Sequence, residues 1–380
     1  MQIDFRGVLK ERHKWALQHK EMGGLVMGCY SAMVPEELMW SCGILPIQFL
    51  MSPGNYGESQ TVLPPYTCDC SKSILEDYMN GTYDYLDGLM VSHVCETIRG
   101  LAGILSVRWP ERFVQVFTAP AGNDPGARRY LKAELTSLAE KLQNLGAVPM
   151  SEDRLEEAIS VYNESRGLIS EVYRIRGENP GAVEPEQVLS AVMSAGIMPR
   201  PQHNRMLREF VKTIHKGTEV TGTRIILSGL LFENEVVGGG NLFSIFKESN
   251  TLVVWDDLAS GMRYRLEPVE SSRGGDPLDR LVESLMGPQP APIRSPAERK
   301  ARQLLQAARE YKGEGVIFLI PKYCDPILFD IPTLTQILKE NGFPTLCLEV
   351  SGALSEGQMR VRVEAFMEML SDSSADSIWA

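Results

Sequence analysis

Three of the seven cysteines in this 380-residue chain share one local setting. Cys95 follows the apolar run Met90-Val91-Ser92 and directly precedes a helical segment opening at Glu96-Thr97. Cys324 follows Val316-Ile317-Phe318-Leu319-Ile320 and precedes a helix expected to start near Pro332. Cys68, in Leu63-Pro64-Pro65-Tyr66-Thr67-Cys68-Asp69-Cys70, stands just ahead of a helix expected over 72–80. Helix N-termini carry partial positive charge and free N–H groups, which favour the thiolate over the thiol and stabilise an anionic group made of thiolates and sulfide. The odd total and wide scatter of cysteines argue against a disulfide framework, so the thiols are free or hold a metal. Zinc is the weaker choice, because no C-x2-C pair is present and the five histidines form no ligand pair. Three thiolates could instead hold a [4Fe-4S] cluster with one iron left open to water or substrate. Cys29, Cys42 and Cys347 read as small apolar packing residues.

Such a site needs elements that bring distant loops together, and the pattern supplies them. Apolar runs at 44–50, 86–92 and 113–117 alternate with helical periods at 35–42, 72–80, 97–107 and 127–145. Strand and helix alternating at this spacing build parallel sheets covered on both faces. The alternation pauses from 154 to 215, a helical stretch without a convincing strand, and resumes after Gly222. The expected fold is therefore α/β: two Rossmann-like (flavodoxin-like) parallel-sheet domains with a helical N-terminus and a helical connector. The segments are 1–27 (helical), 28–150 (first α/β domain), 151–220 (connector) and 221–380 (second α/β domain). In parallel sheets ligands bind beyond the carboxyl ends of the strands, so Cys95 and Cys324 are placed to converge on a cleft between the domains.

Composition sets outer limits. With 38 Lys+Arg against 49 Asp+Glu the formal charge is −11, which gives a nucleic acid no basic footprint to bind. No apolar run approaches the roughly 18 residues that cross a bilayer, and the first residues lack a signal-peptide pattern, so the expectation is a cytoplasmic protein with no membrane partner.

Several short motifs together resemble the 2-hydroxyacyl-CoA dehydratase and benzoyl-CoA reductase subunits. They are Gly28-Cys29-Tyr30-Ser31, Pro35-Glu36-Glu37-Leu38, Gly43-Ile44-Leu45-Pro46, and Cys68 followed by Lys72-Ser73. Asp87-Gly88-Leu89 leading to Cys95 and Arg99, Asp256-Asp257-Leu258 with Gly261-Met262-Arg263-Tyr264, Tyr323-Cys324-Asp325-Pro326, and Glu349 with 358–370 complete the set. The resemblance implies a [4Fe-4S] cluster held by Cys68, Cys95 and Cys324. Cys70 is the alternative first ligand; Cys68 is favoured because Lys72 follows it by four positions. The implied chemistry is low-potential electron transfer onto a CoA thioester through a ketyl-type radical anion, with either ring reduction of benzoyl-CoA or loss of water from a 2-hydroxyacyl-CoA. Lys322-Tyr323-Cys324-Asp325-Pro326 with Phe329-Asp330 looks more like the reductase branch, specifically its smaller cluster-binding subunit. Implied partners are a homologous second catalytic subunit and a separate iron-sulfur ATPase activator that passes on electrons from ferredoxin. The absence of G-x4-G-K-[ST] in this chain fits ATP hydrolysis elsewhere.

Two rival classes stand beside this reading: a non-catalytic cluster-bearing partner subunit, and a metal-free α/β binding protein. Catalytic acids and bases are unassigned. His93 reads as an ordinary strand-end histidine. Gly238-Gly239-Gly240, Arg263 and Arg265 are candidates for CoA phosphates with loop and ion-pair roles as the alternatives, and Ser31 and Glu58 read as solvated loop residues.

Overall fold

The computed structural model describes residues 3–30, 33–51, 54, 56–120, 122, 124–214, 220–231, 236, 242–259, 268–270, 275–287, 296–350 and 356–376. Gly238–Gly240, Arg263, Arg265 and Ser31 lie outside them. The chain forms two four-stranded, all-parallel sheets. The first contains β1 (Leu25–Tyr30), β2 (Ile44–Gln48), β3 (Gly88–Ser92) and β4 (Phe113–Phe117) in the order β2-β1-β3-β4. The second contains β5 (Thr223–Gly229), β6 (Thr251–Leu258), β7 (Gly315–Pro321) and β8 (Thr345–Val350) in the order β6-β5-β7-β8. The two halves thus repeat one flavodoxin-like winding, and in each the order reverses beside the first strand of the half. That reversal opens a crevice at the carboxyl ends of β1 and β3, and again at those of β5 and β7.

β3 and β7 are buried along their whole length, which is why they read as continuous apolar runs rather than alternating ones. Leu89 and Val91 of β3 join a core shared with the second sheet, which includes Ile226, Leu227 and Leu319. Met90 faces the opposite way, into a core with Leu131 and Leu135 of the Pro125–Asn144 helix. Two glycines let strands sit this close. A Cβ on Gly28 in β1 would meet Phe49 Cζ at 2.5 Å and Leu86 Cδ1 at 2.8 Å. Gly229 ends β5 with φ +114°, in the region that favours glycine, and a Cβ there would run into the backbone carbonyl of Leu319.

The 27-residue helix Glu152–Glu178 is the spine between the halves. Ser151 caps its start by accepting from the Arg154 N–H. Arg166 pairs with Glu37 of the first half. Arg176 pairs with Asp256 of β6 at 2.7 Å, where both side chains are essentially sealed from solvent (0% and 1% exposed). The Tyr173 hydroxyl donates to the same Asp256 at 3.0 Å. Helices Pro185–Ser194 and Arg200–Ile214 pack with this spine and with Phe5 in a third core.

Local departures from the sequence expectation are few. The N-terminal helical stretch is two helices, Phe5–Lys10 and Lys14–Glu21. β1, the inner strand of the first sheet, had no counterpart in the sequence reading. The helix beyond Cys324 starts at Asp325 rather than near Pro332, because Pro326 occupies its first turn, where a missing N–H costs nothing; Pro332 lies inside it. The helix after Cys68 likewise starts early, at Asp69.

Candidate functional site

Each of the three cysteines is the N-cap of its helix: Cys68 for Asp69–Met79, Cys95 for Glu96–Arg108 and Cys324 for Asp325–Glu340. Cys68 comes from the long connection after β2, Cys95 from the turn after β3, and Cys324 from the turn after β7. The fold brings the three together across the two halves, within electrostatic reach of one another: charge on Cys68 is felt at Cys95 and at Cys324, and charge on Cys95 is felt at Cys324. All three pack against the shared core.

Each sulfur has its own surroundings. Cys68 is held well below the ordinary thiol range, at about 6. The largest cause is a hydrogen bond from the Cys70 thiol; the Ser71 backbone N–H and hydroxyl add to it, and burial opposes it. Ser71 Oγ lies 3.6 Å from Cys68 Sγ. Cys70 moves the opposite way, far upward, because it gives its proton to that bond and is buried. Burial raises the Cys95 thiol, against the backbone N–H groups of Ile98 and Thr97. Burial also pushes Cys324 up to about 12, against the Ile327 N–H. These N–H groups belong to first helical turns and lie beside sulfur; those of Ser71 and Ile327 also donate to the carbonyls of Cys68 and Cys324, each at 3.1 Å.

The donor set can be matched to a group by its spread. One tetrahedral ion with metal–sulfur distances of about 2.3 Å draws its thiolates to within about 4 Å of each other. Among the described residues, no three His, Cys, Asp or Glu side chains converge that tightly. An iron-sulfur cluster asks for less, since each thiolate binds a different iron and the cluster spans the gap between them. Three thiols from separate loops, each beside helix N–H groups, are chemically suited to an anionic cluster.

Of the neighbours of this site, Tyr30 and Ser71 had no chemical role in the sequence analysis, Lys72 entered only through its spacing from Cys68, and Cys70 only as the alternative first ligand. Tyr30, half-buried at the carboxyl end of β1, stands beside Cys70, Cys68 and Cys95; burial of its hydroxyl first, and then the charges of those cysteines, drive it far above its usual value, and the Ser71 hydroxyl bonds to it. Cys70 and Ser71 have been described, and Lys72 completes the first turn with its side chain buried. Tyr30 was hidden because β1 itself was unread, and Ser71 because only the folded first turn brings it to sulfur.

The remaining candidates lie elsewhere. Cys29 and Cys42 are buried as expected, whereas Cys347 is half-exposed on β8. His93 pairs with Glu96 at 3.1 Å, and Arg99 Nε donates to the same carboxylate at 2.7 Å, on an exposed rim beside Cys95. Asp256 is committed to Arg176 and Tyr173. Glu58 is exposed.

No helix among the described residues is long and apolar enough to cross a membrane. A family model described as 2-hydroxyglutaryl-CoA dehydratase, D-component, matches residues 31–370. The chain is 27% identical to the (R)-phenyllactyl-CoA dehydratase beta subunit of Clostridium sporogenes, over 97% of this chain and 98% of that one. It is 29% identical to a benzoyl-CoA reductase subunit of Thauera aromatica, over 86% and 85%. It is 21% identical to the (R)-2-hydroxyglutaryl-CoA dehydratase subunit beta of Acidaminococcus fermentans, over 97% and 98%.

Proposed function

Because this chain belongs to the 2-hydroxyglutaryl-CoA dehydratase D-component family, we propose that it is the cluster-bearing subunit of a 2-hydroxyacyl-CoA dehydratase. The observation that carries this reading is the meeting of Cys68, Cys95 and Cys324, from both halves of the chain, at three helix N-termini. A [4Fe-4S] cluster held by Cys68, Cys95 and Cys324 would supply low-potential one-electron transfer to a CoA thioester.

The chain's own groups prepare that place. Cys68 and its neighbours Ser71 and Cys70 hold negative charge on sulfur in a nearly dry setting. The N–H groups of Thr97, Ile98 and Ile327 act in the same direction at Cys95 and Cys324 but are outweighed by burial, so these two sulfurs stay thiols until a metal displaces their protons. A homologous second subunit and an iron-sulfur ATPase activator that passes on ferredoxin electrons are the proposed partners, in a cytoplasmic complex.

Matches to dehydratase beta subunits spanning nearly the full length of both chains support dehydration ahead of the reductase branch that the Lys322–Asp330 motifs favoured. Ring reduction of benzoyl-CoA stays as the second reading, on the 29% identity to a reductase subunit. The deciding experiment reconstitutes the chain anaerobically with its partner subunit and activator. (R)-phenyllactyl-CoA, (R)-2-hydroxyglutaryl-CoA and benzoyl-CoA are offered in parallel and products read by mass. Loss of 18 Da from a hydroxyacyl thioester is expected; ring reduction without dehydration would overturn the first reading in favour of the second.

A further inference from the structure

Lys72 has no part in the chemistry above, yet its ammonium lies between the two halves beside the cysteines. Only 7% of the residue is exposed. Its Nζ donates to the Pro65 carbonyl at 3.1 Å, in the turn that leads into Cys68. It lies 3.6 Å from the Asp69 carboxylate. From there it reaches across to the second half and sits 5.6 Å from the centre of the Tyr323 ring, immediately before Cys324. Lys322 Nζ approaches the same ring at 5.2 Å.

Tyr323 is itself unusual. Its φ is +61°, in the left-handed region that bulky side chains avoid and that glycine or asparagine would adopt more readily. The turn itself is closed by the Cys324 N–H on the Pro321 carbonyl at 3.1 Å, and the ring, 41% exposed, is flanked by the Lys72 and Lys322 ammonium groups. A buried ammonium is likewise costly without partners, and Lys72 divides itself among one from each side of the seam and its own helix.

We propose that Lys72 is a positioning residue: through the Tyr323 ring it latches the Cys324 turn of the second half to the Cys68 turn of the first, and so holds the cysteine spacing before any cluster binds. The proposal rests on the reading of these cysteines as one ligand set, but its latch is testable in metal-free protein. Lys72→Arg and Tyr323→Phe keep cation and ring; Lys72→Met and Tyr323→Asn remove one each, and asparagine tolerates the left-handed backbone.

The full chain, stripped of metal, is treated with iodoacetamide, and the alkylation rate of Cys324 is read by peptide mass spectrometry against half-exposed Cys347. Lys72→Met and Tyr323→Asn are each expected to speed Cys324 alkylation about fivefold, the scale of one lost cation–π contact. Lys72→Arg and Tyr323→Phe are expected to restore the parent rate, and the double variant to add nothing to either single one. In the cluster-loaded complex, the EPR signal of the reduced cluster should shift in Lys72→Met and Tyr323→Asn and return in the conservative pair. Unchanged Cys324 reactivity in the ring and cation deletions, or effects that multiply in the double variant, would overturn the latch. If Lys72→Met fails to fold, Tyr323→Asn against Tyr323→Phe decides alone. Iron-free protein after anaerobic purification would sink the cluster reading while leaving the alkylation result to judge the latch.

Discussion

Asp256→Leu tests whether the spine helix is fastened to the second sheet by charge. In the parent, Asp256 accepts from Arg176 at 2.7 Å, from the Tyr173 hydroxyl at 3.0 Å and from the Leu258 N–H at 3.3 Å. The Arg176 guanidinium also lies 4.5 Å from the centre of the Tyr173 ring. Leucine leaves a buried guanidinium without its carboxylate, a loss worth about 3–5 kcal/mol. It also leaves a buried hydroxyl without its acceptor, roughly 1 kcal/mol more. Against the roughly 5–15 kcal/mol that keeps a typical fold together, that is a large fraction. Arg176→Met together with Asp256→Leu removes the stranded charge and should recover to within about 2 kcal/mol of the parent, since well-packed apolar pairs often replace buried ion pairs at little cost. The assay is urea unfolding followed by circular dichroism and by tryptophan fluorescence, with Trp255 adjacent in β6 as a local reporter. Equal stability of the single and double variants would refute the argument, because it would mean that the two charges do not depend on each other.

Three further outcomes follow from the same structure. Alanine at Cys68, Cys95 or Cys324 should bring iron and acid-labile sulfide close to zero in anaerobically purified protein, whereas alanine at Cys29, Cys70 or Cys347 should leave both near the parent level; full loading of a Cys324→Ala protein would break the proposed ligand set. His203 is fully buried, and burial first, then Arg200, lowers it from 6.5 to about 3 while its Nε2 bonds the Ala191 carbonyl at 2.7 Å. The unfolded chain therefore binds a proton there that the folded chain refuses, so this contribution to stability is intact above pH 6.5 and drains away as pH falls from 6.5 toward 3. In His203→Gln the urea midpoint should fall less steeply over that window, and an unchanged slope would count against it. Gly229→Ala should cost roughly 3 kcal/mol, since alanine resists the +114° backbone and its Cβ meets the Leu319 carbonyl; a thermal midpoint equal to the parent's would contradict the close approach of β5 and β7.

Much of the architecture was open to inspection in the sequence because buried parallel strands announce themselves. Phe113–Phe117 was read with the bounds it has, and Gly88–Ser92 and Gly315–Pro321 within two residues at either end. β1 escaped because Leu-Val-Met-Gly-Cys-Tyr has no alternation and carries a glycine, a residue that weakens a strand unless something packs where its side chain would be. What packs there is Phe49 and Leu86, and nothing local in the sequence announces them. The start of the Asp325–Glu340 helix was misplaced because two prolines competed for its first turn; Pro326 takes it, and Pro332 is tolerated within the helix.

The site divides along the same line. That cysteines at strand-to-helix turns should meet follows from winding alone, since parallel strands all open their carboxyl ends to one edge of the sheet. What winding cannot say is how two such edges, one from each half, are held at a fixed separation. That depends on side chains whose partners lie far along the chain: Arg166 on Glu37, Arg176 on Asp256, and Lys72 on Tyr323. The first two fasten a common helix to both halves, and the third acts at the cysteines themselves. The proposed ligand set, split between two separately wound sheets, is only as well defined as the contacts across the seam. On the latch proposal, the cation and ring beside Cys68 and Cys324 join the sulfurs in defining the site, although neither residue type suggests metal chemistry when read alone.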